Sequence, residues 1–351
     1  DGVREVGFVS AWWNNRMKRG HNKRFPMAED FPEERDAHPL DDEFWSSKRP
    51  VFEKINIPAL VCASWSDHGL HTRGSLLGFE ALESKKWLFT HGRRKWETFY
   101  GAEACNMQRH FFDHFLKGEA NGWENTPRVR LETRQSLTQF AVRSESDWPL
   151  SNVTYSPLYL NPGGGALDEQ LPKEVQKTRY APSGKGSPDR ASFRYLFSNK
   201  TEITGTMSLK LWVSTSSGTD LDLFAKLRKF DPAGKEVFFY GYNGFDKDGV
   251  AKGWLRVSHR AIDPERSLPG RPWHSHLKSE PVKPDEIVPV EIEILASSTL
   301  FELGSSLEVD ILGHDADRYP AFKHEPTVNQ GWHSIYTGGS YDSDLLMPVV
   351  N

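Results

Sequence analysis

Two residues stand where proton transfer could be done. Asp67 follows the apolar run Ala59-Leu60-Val61-Cys62-Ala63, and His91 follows a second run, Trp87-Leu88-Phe89-Thr90. In open sheets of parallel strands, catalytic groups collect outside the carboxyl ends of the strands. A carboxylate and then an imidazole, each at such an end, form the acid and base part of a nucleophile, base and acid triad. The imidazole takes the proton of a hydroxyl nucleophile and returns it to the leaving group, while the carboxylate fixes its tautomer and stabilises the imidazolium. The nucleophile itself is missing. No G-x-S-x-G occurs: Gly74-Ser75-Leu76-Leu77-Gly78 has the wrong spacing and follows the acid, and Gly339-Ser340-Tyr341 lies far downstream. On position alone, an Asp after a strand is more often a cap or turn former, and a His there more often a structural residue.

Other titratable clusters invite the plainer reading. His68 and His71 bracket Asp67, but no Cys or Glu cluster completes a metal site beside them. His314, Asp315 and Asp317 read as a solvated loop. Asp41, Asp42 and Glu43 could anchor a free amine, and otherwise form a solvated acidic turn. The two cysteines, Cys62 and Cys105, do not suggest a disulfide, and Cys62 reads as a space-filling thiol in a buried strand.

The elements that must position Asp67 and His91 alternate. An apolar run of five residues fits a strand buried on both faces. Between the two runs, Ser75 to Lys85 carries Leu76, Phe79 and Leu82 at helical spacing, with Ser75 able to cap. Beyond His91, Glu103 to Lys117 sets Ala104, Met107, Phe111 and Phe115 on one face and stops at Gly118. Strand, helix, strand, helix is the signature of an α/β sheet. Residues 1–56, rich in Trp, Arg, Glu, Asp and Pro, read as a lid or cap remainder, and 57–125 as the α/β part. From 126 to 351, short alternating stretches take over: Arg128 to Glu132, Met207 to Val213, Leu221 to Leu227, Val288 to Ile294 and Leu307 to Ile311. Turn signals such as Asn161-Pro162-Gly163-Gly164 and Asp231-Pro232-Ala233-Gly234 separate them, which predicts a jelly-roll β-sandwich.

Composition narrows the partners. With 37% hydrophobic residues and a net charge of −4 the chain suits a globular protein. No apolar run approaches the roughly 20 residues of a membrane span, and no basic patch suggests nucleic acid. A small or peptide-like substrate fits better. The chain begins without Met and without a signal-peptide pattern, so it reads as part of a longer, cytoplasmic protein.

The residues also carry a resemblance. Ile57 to Val61, Ser64-Trp65-Ser66-Asp67 and Gly69 to Gly74 resemble the acid-bearing region of the CocE/NonD serine hydrolases, which include cocaine esterase, α-amino-acid ester hydrolases and X-prolyl dipeptidyl peptidases. Arg109 to Gly118 with Asn121-Gly122-Trp123 resembles the last hydrolase helix of that family. Asp147 to Leu150, Glu202 to Gly205, Asp220 to Gly234, Gly253 to Arg256 with Ser258 to Arg260, and His333 to Tyr341 resemble its jelly roll. The resemblance implies Asp67 as triad acid and no cofactor. It puts Lys95 at the position of the family's catalytic histidine, with His91 the nearest histidine and the candidate base. It also implies that the nucleophilic serine precedes this sequence, in an amino-terminal segment of the same protein. The expected function is hydrolysis of an ester, amide or short peptide through an acyl-enzyme, with Trp12, Trp13, Phe44 and Trp45 lining the pocket. The rival is a non-catalytic binding module, a jelly roll on a hydrolase remnant; a homo-oligomer through the jelly roll is a further possibility.

Overall fold

The computed structural model describes residues 2–7, 29–184, 187–317 and 323–351. Trp12 and Trp13 lie outside the described residues. Among the described residues, two short helices, α1 (Phe31–Ala37) and α2 (Glu43–Ser46), precede the first strand, β1 (Ala59–Ser64). Then come α3 (Thr72–Ala81), β2 (Lys86–His91), α4 (Lys95–Phe99) and α5 (Ala102–Lys117). β1 and β2 are parallel, in register from Ala59 opposite Lys86 to Ser64 opposite His91. Both apolar runs are therefore strands. The helix between them starts at Thr72, three residues before the expected start, because the turn at 67–71 leads straight into it. Ser75 consequently sits inside the helix, and His71 is the N-cap, without a side-chain capping bond. α5 runs as expected and ends at Gly118, whose φ of 73° is the left-handed C-cap that glycine adopts at least cost.

The rest of the molecule is mostly strand. β3 (Val129–Arg134) continues the parallel set beside β2, and β4 (Phe140–Glu145) pairs with it antiparallel. In chain order there follow β5 (Val153–Asn161), β6 (Ala166–Asp168), β7 (Gln176–Tyr180), β8 (Arg190–Leu196), β9 (Thr201–Thr215), β10 (Asp222–Phe230), β11 (Glu236–Val237) and β12 (Ala251–Arg256). The last four are β13 (Val288–Phe301), β14 (Ser306–Leu312), β15 (His333–Thr337) and β16 (Asp344–Val350). The long β9 is the hub, pairing antiparallel with β13, β15 and β16. Alternation along it sends Leu209, Leu211 and Val213 to a core shared with Val290, Ile292, Ile335 and Leu345. The expected turns fall where predicted, between β5 and β6 and between β10 and β11.

A second core joins the α/β part to the strands. Ala63, Trp65, Leu76, Phe79, Leu88, Val129, Leu131 and Trp148 pack with Ala296 of β13. Polar contacts cross the same seam: Arg73 makes two bonds to Glu293, Arg271 two to Glu80, and the His68 ring meets the Ala296 carbonyl oxygen at 3.0 Å. β1 ends the sheet, with β2 its only strand partner among the described residues. Cys62, expected to be buried, is exposed there because nothing described covers that strand's free side.

Candidate active site

The chain leaves β1 at Ser64 and turns at once. Trp65 N–H still donates to the His91 carbonyl at 2.7 Å, which locks the two strand ends together. The Thr72 hydroxyl reaches back to the Ser64 carbonyl at 2.6 Å, and the Asp67 carbonyl accepts from the Leu70 and His71 N–H groups at 3.2 and 3.3 Å. Gly69, at φ 92°, supplies the left-handed step that this turn requires. The Ser66 hydroxyl donates to the Arg93 carbonyl at 2.7 Å, tying the acid turn to the loop after β2. These bonds present the Asp67 side chain, 2% exposed, at the carboxyl end of β1.

Asp67 Oδ2 accepts from Lys95 Nζ at 2.8 Å, and Oδ1 has no hydrogen-bond partner among the described residues. The expected partner, His91, instead closes β2 as its last residue and is buried, with Nδ1 also unpartnered. Burial, and then the Arg93 guanidinium, push the His91 pKa down to about 3. Lys95 reaches the carboxylate because it opens α4 and its long side chain spans the gap. Its ammonium also lies 5.5 Å from the Tyr242 ring and 5.4 Å from the Trp96 ring. Tyr242 comes from a segment 147 residues beyond Lys95, and nothing in the sequence near Asp67 points to it.

Asp67, His71, His91 and Lys95 line one cavity of about 290 Å³, together with Cys62 and Phe99. Burial lowers the His71 pKa, the Asp67 charge opposes that, and the Lys95 charge reinforces it. No group of three or more His, Cys, Asp and Glu among the described residues is placed to hold a metal ion. The His314 region is not the solvated loop expected from sequence. Asp315 pairs with His324 at 2.9 Å and Asp317 with Lys226 at 2.5 Å, because Lys226, on β10, needs an acidic neighbour. The acidic turn is likewise engaged: Asp41 pairs with Arg49, while Asp42 caps α2 through Phe44 N–H and meets His38 at 2.6 Å. Trp45 lines a different cavity from that of Asp67, and Phe44 stacks on His38.

Residues 121–346 match the X-Pro dipeptidyl-peptidase C-terminal non-catalytic domain. The chain is 42% identical to a CocE/NonD family hydrolase from Staphylococcus aureus, with a TM-score of 0.95 over 100% of this chain and 64% of that one. The chain belongs to the CocE/NonD hydrolase family. Within that family it is 25% identical to cocaine esterase of Rhodococcus sp. (strain MB1 Bresler), over 89% of this chain and 60% of the esterase. An aminopeptidase from a marine sediment Thaumarchaeota archaeon shares the fold, with a TM-score of 0.67 at 15% identity, covering 100% of this chain and 65% of the other. The chain thus spans about three fifths of the length of these CocE/NonD relatives.

Proposed function

We propose that this chain supplies the acid and base end of a serine hydrolase acting through an acyl-enzyme on an ester, an amide or a short peptide. The observation that carries it is the shared cavity at adjacent parallel strand ends, in which Asp67 Oδ1 and His91 Nδ1 are both buried without hydrogen-bond partners among the described residues. One is an acceptor lacking a donor and the other can carry a proton. Joining the two would orient the imidazole, and the carboxylate would lift the His91 pKa back from its buried value. His91 then takes the serine proton as general base, Asp67 holds the imidazolium, and Lys95 anchors the other carboxylate oxygen.

In this reading residues 57–125 are the carboxy-terminal part of an α/β-hydrolase domain, 1–56 the remainder of its lid, and 126–351 a jelly-roll β-sandwich. The serine comes from an amino-terminal segment of the same protein that adds a strand along β1. The open side of β1, the exposed Cys62, and Trp96 on α4, Tyr100 at its C-cap, and Phe112 and Leu116 on α5, all four at least half exposed, support that docking. No cofactor is called for.

The Asp67–Lys95 pair favours a second reading, a binding module on a hydrolase remnant, since an ammonium offers donors and no acceptor. Fluorophosphonate labelling and ester hydrolysis by the protein as purified separate the two. The hydrolase reading expects covalent labelling of a serine outside this sequence and a loss of about 10⁴-fold in kcat for Asp67→Asn, the size seen when a triad carboxylate is neutralised. Absence of labelling and of turnover would leave only the binding module.

A further inference from the structure

We propose that a second cavity, of about 670 Å³, between the amino-terminal segment and the loop after β12, binds a small hydroxylated anion such as a phosphate or a hydroxycarboxylate. Its size falls within the range of small-molecule sites, and it shares no lining residue with the Asp67 cavity. Five guanidinium groups line it: Arg4, Arg35, Arg49, Arg73 and Arg256. Four carboxylates engage them: Asp36 meets Arg4 and Arg35, Asp41 meets Arg49, Glu293 meets Arg73, and Asp222 meets Arg256. A guanidinium suits an oxyanion geometrically.

Three buried polar atoms in this lining have no partner among the described residues: Arg4 Nε, His274 Nε2 and Asp41 Oδ1. Two are nitrogens that can donate to an oxyanion, and the third is an acceptor that a ligand hydroxyl would satisfy. Leaving such atoms unmet is unfavourable, so an occupant with both functions is favoured over an apolar one. His259, His274 and His276 stand together on one wall, with the Nδ1 atoms of His259 and His276 3.0 Å apart, and His38 on the other wall is held by Asp42. Burial, the largest cause, pushes His274 to about 4 and His276 to about 2 and lowers His259. An anion seated here stabilises their charged forms, so its binding takes up protons.

Titration calorimetry of the protein as purified, at pH 6 in two buffers of different ionisation enthalpy, tests this with inorganic phosphate, malate and succinate. Saturable binding of phosphate and malate with proton uptake is expected, accompanied by a change in Trp45 and Trp273 fluorescence. Succinate, which lacks the hydroxyl for Asp41, should bind more weakly than malate. The double variant Arg4→Gln/Arg49→Gln alters two half-exposed side chains, so the fold should survive, as circular dichroism would verify. It should weaken binding at least roughly tenfold, equivalent to about 1.4 kcal/mol, while Arg128→Gln, outside the cavity, should leave it unchanged. Absence of saturation overturns the proposal, as does binding without proton uptake that the double variant does not weaken.

Discussion

Asp67 is 2% exposed, and its one cationic partner among the described residues, Lys95, is a quarter exposed. Removing the ammonium strands a buried carboxylate oxygen, and the cavity beside it admits solvent, which softens the loss. Lys95→Ala should therefore lower stability by about 1–3 kcal/mol, read as a fall in the denaturation midpoint at unchanged slope. In the hydrolase reading the same variant frees Asp67 for His91 and leaves ester turnover intact or raised, whereas His91→Ala abolishes it. Gly92 presents a different residue-scale constraint. A Cβ there would meet Arg134 Cδ at 2.1 Å, and Arg134 is pinned by the Val250 carbonyl and Ser297 hydroxyl, both at 2.7 Å. Gly92→Ala should cost about 1–3 kcal/mol through overpacking, and a thermal melt indistinguishable from the parent would refute that account.

At the scale of elements, the strands and helices around the site were legible because apolar runs and 3.6-residue spacing record burial directly. Ala59 to Ala63, Trp87 to Thr90 and Glu103 to Lys117 all became the expected elements within a few residues. Asp67 was legible as a strand-end carboxylate. Its partner was harder to read, because His91 and Lys95 lie four residues apart and only the side-chain reach across the cavity separates them. Tyr242 and the pairing of Asp317 with Lys226 depend on contacts between distant segments, which local pattern does not encode. The same holds for Cys62: an apolar strand looks buried in sequence whether or not its neighbour is present. At Gly118 the local rule is sufficient, and a clean test follows. A Cβ there meets nothing within 4 Å, so Gly118→Ala should cost only the left-handed backbone penalty, about 1 kcal/mol. The open side of β1 gives another: burial raises the Cys62 thiol pKa, which slows its reaction, yet a thiol reagent should still modify it faster in this chain than once an amino-terminal segment is docked, and equal rates in both states would argue against strand addition there.

Across the whole molecule, buried histidines couple the two cores to pH. His68 bonds across the seam to Ala296, His274 lines the anion cavity, His333 meets Tyr180 within the strand-rich core, and His91 closes β2. Burial holds His68 and His274 to about 4, and His91 and His333 to about 3. In the unfolded chain each would titrate near the ordinary value of about 6.5. Their folded pKa values are depressed, so between those limits the unfolded state binds more protons than the folded one. Unfolding free energy therefore rises with pH through this window. The stability these neutral rings represent is fully present above about pH 6.5 and is lost progressively as pH falls towards 4. Near pH 5 these groups should contribute an uptake approaching four protons on unfolding, each worth about 1.4 kcal/mol per pH unit. Denaturant titrations between pH 5 and 6.5 measure that slope. Replacing His333 by Gln should reduce the uptake by close to one proton even where it also lowers stability, because slope and intercept are separate readouts. A flat dependence of unfolding free energy on pH across this range would mean that the rings are not held neutral, and the burial account of both cores would have to be abandoned.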